Sequence, residues 1–388
     1  MPSSGALERL RAANQRTVLG LLAEEGPMSR ADLVRASSLS RTTVSSLVAE
    51  LIRHGQITET DDRARPHKGG SGRPPVLVRL SAPAGGVVGV DIGHGHVRVA
   101  VADRLGTVLA EDHALVEVDA HGTEVLDHTA ATVRALAARS DLPMEALLAI
   151  GMCVPAPLDR RSSRIRTGIM PGWQGLLPGD ELERRLGIPV HVDNDANLGA
   201  LAELHHGIAR GRHDVVYLKI ASGVGAGIVL GGRLHRGATG IAGEIGHVQV
   251  GEDGQVCRCG NRGCVETMVS ASRLLDLLQP AYREPLTIDQ VLALDVEGDA
   301  GVRRVLNDAG RTVGRAVADL ANSLNPELVV VGGTLGGSRS LVDGLRTAID
   351  RYAQPDTAAA LDVVPGALGV RSAVVGAVAL AIARVAAP

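Results

Sequence analysis

The sequence predicts an α/β protein in which a small helical module with a two-stranded wing precedes two lobes of a duplicated α/β fold with a cleft between them. Three observations carry this prediction. Residues 1–80 contain three short amphipathic helices and two strand-like segments. A strand, glycine turn and strand occurs twice, first in GGVVGVDIGHGHVRVAVAD and again in VVYLKIASGVGAGIVLGG (215–232), with helical sequence between. From Glu244 to Glu266 the chain reads EIGHVQVGEDGQVCRCGNRGCVE, a cysteine-rich loop suited to closure by a metal.

Composition sets the frame for these elements. At 388 residues the chain exceeds what one compact core encloses, and its 45% hydrophobic content supplies apolar mass for two or three domains. The expected boundaries are 1–80 for the first module, 84–193 for one lobe, completed by a terminal helix over 372–388, and 194–371 for the other. Phe is absent, and the aromatic residues are Trp173, Tyr217, Tyr282 and Tyr352, so the core must rely on Leu, Val, Ile and Ala. Lysine occurs only at Lys68 and Lys219. MPSSGALERL has no apolar targeting segment and no later run is long enough to span a membrane, so no membrane partner is expected. With three of the four cysteines in one loop and Cys153 read as plain core, the expected compartment is reducing, namely the cytoplasm. The net charge of −3 is uneven: residues 1–80 hold 12 Lys+Arg against 8 Asp+Glu, and the remainder 28 against 35. A basic module precedes an acidic one.

In the first module, NQRTVLGLLAEEG places Val18, Leu19, Leu21 and Leu22 on one helical face and stops at Gly26. Ser29 begins a second helix with Asp32 as its capping-box partner, ending near Ser37. Ser40 caps a third, RTTVSSLVAELIRHG, with Val44, Leu47, Val48, Leu51 and Ile52 inward. Ser40, Arg41, Thr42, Thr43 and Ser46 lie at its exposed start, where a recognition helix reads base edges in the major groove. Strands over Gln56–Thr60 and Val76–Leu80 enclose DDRARPHKGGSGRPP, and Arg73 between Gly72 and Pro74 is slim enough for a minor groove. The expected partner is an inverted-repeat DNA site bound by a homodimer or a dimer of dimers. The alternative is a three-helix bundle with a basic linker.

In the cysteine loop, His247, Cys257, Cys259 and Cys264 supply four protein ligands, which suits a structural Zn²⁺ with no open position for water. Metal binding there would also fix Glu244 and Glu266 at the ends of the loop and leave the second nitrogen of His247 to orient a partner. GIPVHVDNDANLGALAE sets Asp193, Asn194, Asp195 and Asn197 where a strand passes into a helix. One such carboxylate is more often a cap, but four polar groups at a cleft mouth favour a ligand.

With AGEIGH followed by CRCGNRGCVE, the chain resembles the repressor, open reading frame and kinase (ROK) family over nearly its whole length. The resemblance implies a two-lobed actin-like (ribonuclease H-like) sugar kinase fold. In the kinase members ATP phosphorylates a hexose hydroxyl. Asp195 matches the catalytic base, vestigial here; Asn194, Asp195, Glu244, His247 and Glu266 match the sugar contacts, and His247 with the three cysteines the zinc ligands. Kinase members read close to DIGGTK at the first hairpin, whereas this chain has Asp91-Ile92-Gly93-His94-Gly95-His96, so both polar phosphate-side groups are lost and ATP is not expected as a cofactor. The second hairpin retains one hydroxyl at Ser222; Ala156 replaces a glycine, and Ile169 stands where many members have asparagine before the Pro-Gly-Trp ending at Trp173. The expected function is a DNA-binding transcriptional regulator, a repressor of carbohydrate genes, responding to a sugar or sugar phosphate. The alternatives are an ATP-dependent sugar kinase with a fused DNA-binding domain, for which the retained Asp195 argues, and a sensor of a protein partner.

Overall fold

The computed structural model describes residues 11, 14–15, 17–22, 25–53, 55–63, 76–81, 85–158, 165 and 170–386. They fall into two units, Met1–Gly85 with Asp103–Leu105, and Gly86–Ala102 with Gly106–Pro388.

In the first unit, helical residues 17–22 bury Val18 and Leu22. Helix α1 (Arg30–Ser37) starts on the expected capping box, in which Ser29 Oγ accepts the Asp32 N–H at 3.2 Å and Asp32 Oδ2 accepts the Ser29 N–H at 3.1 Å. Helix α2 (Arg41–Arg53) is capped by Ser40, whose Oγ accepts the Thr43 N–H at 3.1 Å. Its apolar stripe, Val44, Leu47, Val48 and Leu51, packs with Val18, Leu33, Ile57 and Val78. Strands β1 (Met28–Ser29), β2 (Ile57–Arg63) and β3 (Val76–Leu80) form an antiparallel sheet in the order β1-β3-β2, with Ile57 opposite Leu80 and Met28 opposite Val78. Two details differ from expectation. β2 runs on to Arg63, and β1 is an added strand too short to carry a periodic signal. The wing tip, with Arg73, lies outside the described residues.

The second unit contains two five-stranded sheets of identical topology. In the first, β4 (Gly86–Ile92), β5 (His96–Asp103), β6 (Val108–Leu115), β7 (Leu147–Val154) and β8 (Val190–Asn194) stand in the order β6-β5-β4-β7-β8. In the second, β9 (Val215–Ile220), β10 (Val224–Leu230), β11 (Arg233–His235), β12 (Leu328–Gly332) and β13 (Asp362–Pro365) stand in the order β11-β10-β9-β12-β13. Each begins with a glycine-turned hairpin and ends with parallel strands reached through helices, α3 (Gly122–Arg139) and α4 (Pro178–Leu186) in one, α9 (Ala300–Leu324) and α10 (Arg339–Tyr352) in the other. The repeat that the sequence shows as two hairpins is therefore a repeat of whole sheets. Helix α5 (Asp195–His206) follows β8, helices α6 (Val265–Val269), α7 (Ala271–Leu278) and α8 (Ile288–Glu297) follow the cysteine loop, and α11 (Pro355–Ala360) precedes β13.

Aliphatic residues build both cores, as the composition requires, with Trp173 and Tyr217 as the largest fully buried side chains. Each has its polar atom satisfied: Trp173 Nε1 donates to Val118 O at 2.9 Å, and Tyr217 Oη lies 2.7 Å from Ser372 Oγ. The last helix, α12 (Ser372–Ala386), packs on β4, β7 and α5. A Cβ at Gly376 would lie 1.8 Å from Leu198 O, so only glycine allows α12 to approach α5 this closely.

Candidate effector cleft and metal centre

The site is assembled at strand ends, where polar groups leave the sheets. β8 passes into α5 at Asn194, whose Oδ1 accepts the Ala196 N–H at 2.9 Å and so caps the helix. Asp193 and Asn197 do not reach the cleft as expected. Asp193 Oδ1 accepts from the Asn194 N–H and from Asn197 Nδ2, both at 2.8 Å, while Asp193 Oδ2 accepts from Arg236 Nε at 2.7 Å. These two residues hold the turn that presents Asn194 and Asp195.

Those two residues line a cleft together with Glu244, His247 and Glu266, so all five positions matched to sugar contacts meet in one place. His94, Lys219, Ser222 and Arg258 complete much of the wall. Lys219, on β9, donates from Nζ to Asp195 Oδ2. Burial opposes its charge, but the carboxylates of Asp195 and Asp91 outweigh that cost and hold the ammonium well above the usual lysine range. Glu266 Oε2 accepts the Val224 N–H at 3.1 Å, and Glu266 Oε1 lies 3.2 Å from Arg258 Nε. Burial, then the charges of Asp195 and Glu266, push the Glu244 carboxyl up to about 7.

Below the first hairpin, Asp91 is buried. Its Oδ1 accepts from Cys153 Sγ at 3.0 Å and its Oδ2 lies 3.2 Å from His96 Nε2. Burial alone would raise the Asp91 carboxyl, but the His96 hydrogen bond and the charges of His96 and Lys219 hold it below the usual carboxylate range. Burial raises the Cys153 thiol well above its usual range, in keeping with its expected core role. His94 Nδ1 pairs with Asp119 Oδ1 at 2.7 Å. Each histidine that replaces a kinase-type phosphate-side group is thus tied to an aspartate. Ile169 lies outside the described residues.

The ligand atoms of His247, Cys257, Cys259 and Cys264 lie within 4.8 Å of one another. His247 Nδ1 is 3.5 Å from Cys257 Sγ, and Cys259 Sγ is 3.7 Å from Cys264 Sγ. A tetrahedral zinc with ordinary bond lengths would separate such pairs by about 3.5 and 3.8 Å, so these two pairs have the spacing such an ion needs. Gly263, at φ 60°, makes the loop possible, because a Cβ there would lie 1.7 Å from Gly251 O. The other nitrogen of His247, Nε2, lies 3.6 Å from Glu244 Oε2, so one imidazole joins the metal cluster to the cleft.

In the first unit, Arg41, Thr42 and Ser46 are exposed on α2 and Thr43 is partly buried. Ser40 Oγ lies 2.8 Å from both Thr42 Oγ1 and Thr43 Oγ1, so these hydroxyls form a polar cluster at the helix start.

Comparison with known proteins places these features in a lineage. Residues 87–384 match the ROK family. The chain belongs to the ROK family. Residues 16–61 match the IclR helix-turn-helix domain, so this ROK protein carries that domain in front. It is 30% identical over 393 residues to the DNA-binding transcriptional dual regulator NagC of Escherichia coli, covering 97% of this chain and 94% of that one. It is 26% identical over 369 residues to the xylose repressor of Bacillus subtilis, covering 95% and 94%. Among solved structures, a ROK family transcriptional regulator described as a homologue of the E. coli MLC protein aligns with a TM-score of 0.72 at 27% identity, covering 97% and 96%. A ROK family glucokinase from Streptomyces griseus, solved with glucose and AMPPNP, aligns at 0.68 and 26% identity, covering 76% of this chain and 99% of that one. The regulator matches nearly the whole of the ROK protein and the kinase about three quarters.

Sequence reasoning missed Lys219 and Arg258 as cleft residues. For Lys219 a signal was present, since a lysine inside VVYLKI breaks an otherwise apolar strand and requires a buried partner.

Proposed function

We propose that this protein is a sugar-responsive DNA-binding transcriptional regulator, acting as a repressor of carbohydrate genes, in which the ROK cleft binds the effector and the N-terminal module binds DNA. The observation that carries this reading is the presence in one chain of a helix start exposing Arg41, Thr42 and Ser46 and of a cleft that gathers Asn194, Asp195, Glu244, His247 and Glu266. Ser40, Arg41, Thr42, Thr43 and Ser46 serve the major groove, and Arg73 the adjoining minor groove. A homodimer or dimer of dimers presents two such helices to an inverted repeat. The effector, a sugar or sugar phosphate, changes DNA affinity by as much as its own affinity differs between the DNA-competent and DNA-incompetent forms. A Zn²⁺ held by His247, Cys257, Cys259 and Cys264 would be structural, fixing the loop that carries Glu244 and Glu266. No helix among the described residues is long and apolar enough to cross a membrane, and a DNA partner together with a thiolate-held metal suits the cytoplasm.

A second reading, an ATP-dependent sugar kinase with a fused DNA-binding domain, draws on the placement of Asp195 in the cleft. ATP is the weaker expectation, because His96 and His94 stand where phosphate-side groups belong and each pairs with an aspartate. The deciding experiment selects DNA from a random pool with the full-length protein, then titrates the selected duplex in the presence of individual sugars, with and without ATP. An inverted repeat whose affinity changes with a sugar alone is expected. Absence of sequence preference, or phosphorylation of the sugar at kinase rates of about 1–100 per second, overturns the regulator reading.

A further inference from the structure

Lys219 is one of two lysines in the chain and lies in β9 beside Leu218 and Ile220, both fully buried. An ammonium in such a strand requires a compensating charge, and Asp195 supplies it. The two side chains are 21% and 11% exposed, so solvent screens the pair only in part. Asp195 is the carboxylate in the position of a phosphotransfer base, and the ammonium occupies one of its two oxygens. The other cation on the cleft wall, Arg258, is engaged in the same way, with Nε 3.2 Å from Glu266 Oε1. Glu244 adds a third carboxylate, and His94 is tied to Asp119. Among the described residues of this wall, three carboxylates face two cations, each already paired.

We propose that Lys219 is the specificity-determining residue of the cleft: its ammonium closes Asp195 into an ion pair that receives the hydroxyls of an uncharged monosaccharide, withholds the carboxylate from base chemistry, and leaves no cation for a sugar phosphate. This rests on the reading of the cleft as a sugar site. A hydroxyl meets a donor in the ammonium and an acceptor in the remaining carboxylate oxygen, and stays neutral. A phosphate dianion meets the carboxylates of Asp195 and Glu266, and to be bound it must break an existing pair.

Having only two lysines allows a direct test. Full-length protein labelled with ¹⁵N at lysine Nζ has two side-chain sites, so Lys219 is assigned by its loss in Lys219→Met. Slow exchange of its ammonium protons relative to Lys68, made faster by Asp195→Asn, is expected; exchange as fast as that of Lys68 overturns the ion pair whatever the ligand. Calorimetry then compares D-glucose and N-acetylglucosamine with their 6-phosphates, and D-xylose with D-xylose 5-phosphate. An uncharged sugar should bind tighter than its phosphate, with Lys219→Met weakening it on the order of tenfold and Lys219→Arg restoring part of that loss. Tighter binding of a phosphate, or unchanged affinity in Lys219→Met, overturns the specificity claim. Binding of none of these sugars by the wild-type protein, with slow Lys219 exchange intact, refutes the sugar-site reading and the ligand class with it, while the ion pair stands.

Discussion

The two glycine hairpins occupy equivalent places in two sheets of the same topology, yet they have closed in different ways. In the first, between β4 and β5, the Gly93 N–H donates to His96 O at 2.9 Å, and a Cβ at Gly93 would lie 2.1 Å from His96 Cε1, so an imidazole covers the turn. In the second, between β9 and β10, no side chain of the turn itself folds over it. Instead Glu266, from the far end of the metal loop, accepts the Val224 N–H. A backbone turn that can approach a phosphate is covered by a ring in one copy and presented with a carboxylate in the other. The two hairpins stand at the same place in their sheets, and a few side chains decide whether either offers positive potential to an anion.

The largest effect that would test this contrast comes from the metal loop, because the second hairpin depends on Glu266 being held there. Chelating a metal bound there, or the change Cys259→Ser, should lower metal content and sugar affinity together, by roughly 10–100-fold, as followed by elemental analysis and calorimetry. A metal-free protein that binds sugar fully would separate loop from cleft and refute the structural role. Next comes catalysis. With the first hairpin covered and Asp195 paired, ATP-dependent phosphorylation of glucose, N-acetylglucosamine and xylose should be negligible in a coupled assay. Turnover at about 1–100 per second that Asp195→Asn abolishes would show that the covered hairpin opens for nucleotide.

A third measurement checks that the first unit and the hairpin-bearing second unit can be changed separately. Arg41→Ala should cost about 1–3 kcal/mol in binding to the selected DNA duplex and relax specificity at one position, with sugar affinity unchanged. Fluorescence anisotropy at fixed salt reads the first quantity, and calorimetry the second. The smallest expected effect concerns the Asp91–His96 contact. The Asp91 carboxyl titrates below its usual range in the folded protein, so its contribution to stability is present above pH about 4, the unfolded value, and is lost as pH falls through the folded value. In His96→Ala that acid sensitivity should shrink, and the melting temperature at neutral pH should fall by about 2–4 °C. Identical melting curves for variant and wild type between pH 3 and 7 would mean that the imidazole covers the turn without stabilising Asp91.

Features encoded within a short stretch of chain were legible before the structure. The capping box of Ser29 and Asp32 lies within four residues, and the four side chains that could hold a metal lie within eighteen, so short spacing brings each set together. The hairpins were legible as a repeat, but the matching order of all five strands in each sheet was not, because β13 follows β9 by well over a hundred residues. Asp193 was read with Asn194 and Asp195 as a possible ligand group. Its partner Arg236 lies 43 residues on, so the sequence could not distinguish a carboxylate facing the cleft from one holding the turn. Lys219 was missed, since its partner Asp195 lies 24 residues earlier on another element and nothing local names it.

Helix α12 places a late constraint on the whole ROK fold. Residues 372–386 leave the ribosome after every strand they cover, so until they arrive Val87, Ala100, Ala102 and Ala149 have no Val374, Val378 or Ala381 to pack against. The DNA-reading module is encoded in the first residues and can mature early, whereas the first lobe spends most of translation with one apolar face uncovered. A chain ended by a premature stop a few residues before Ser372 would therefore retain its DNA-binding module and expose a sheet face suited to aggregation.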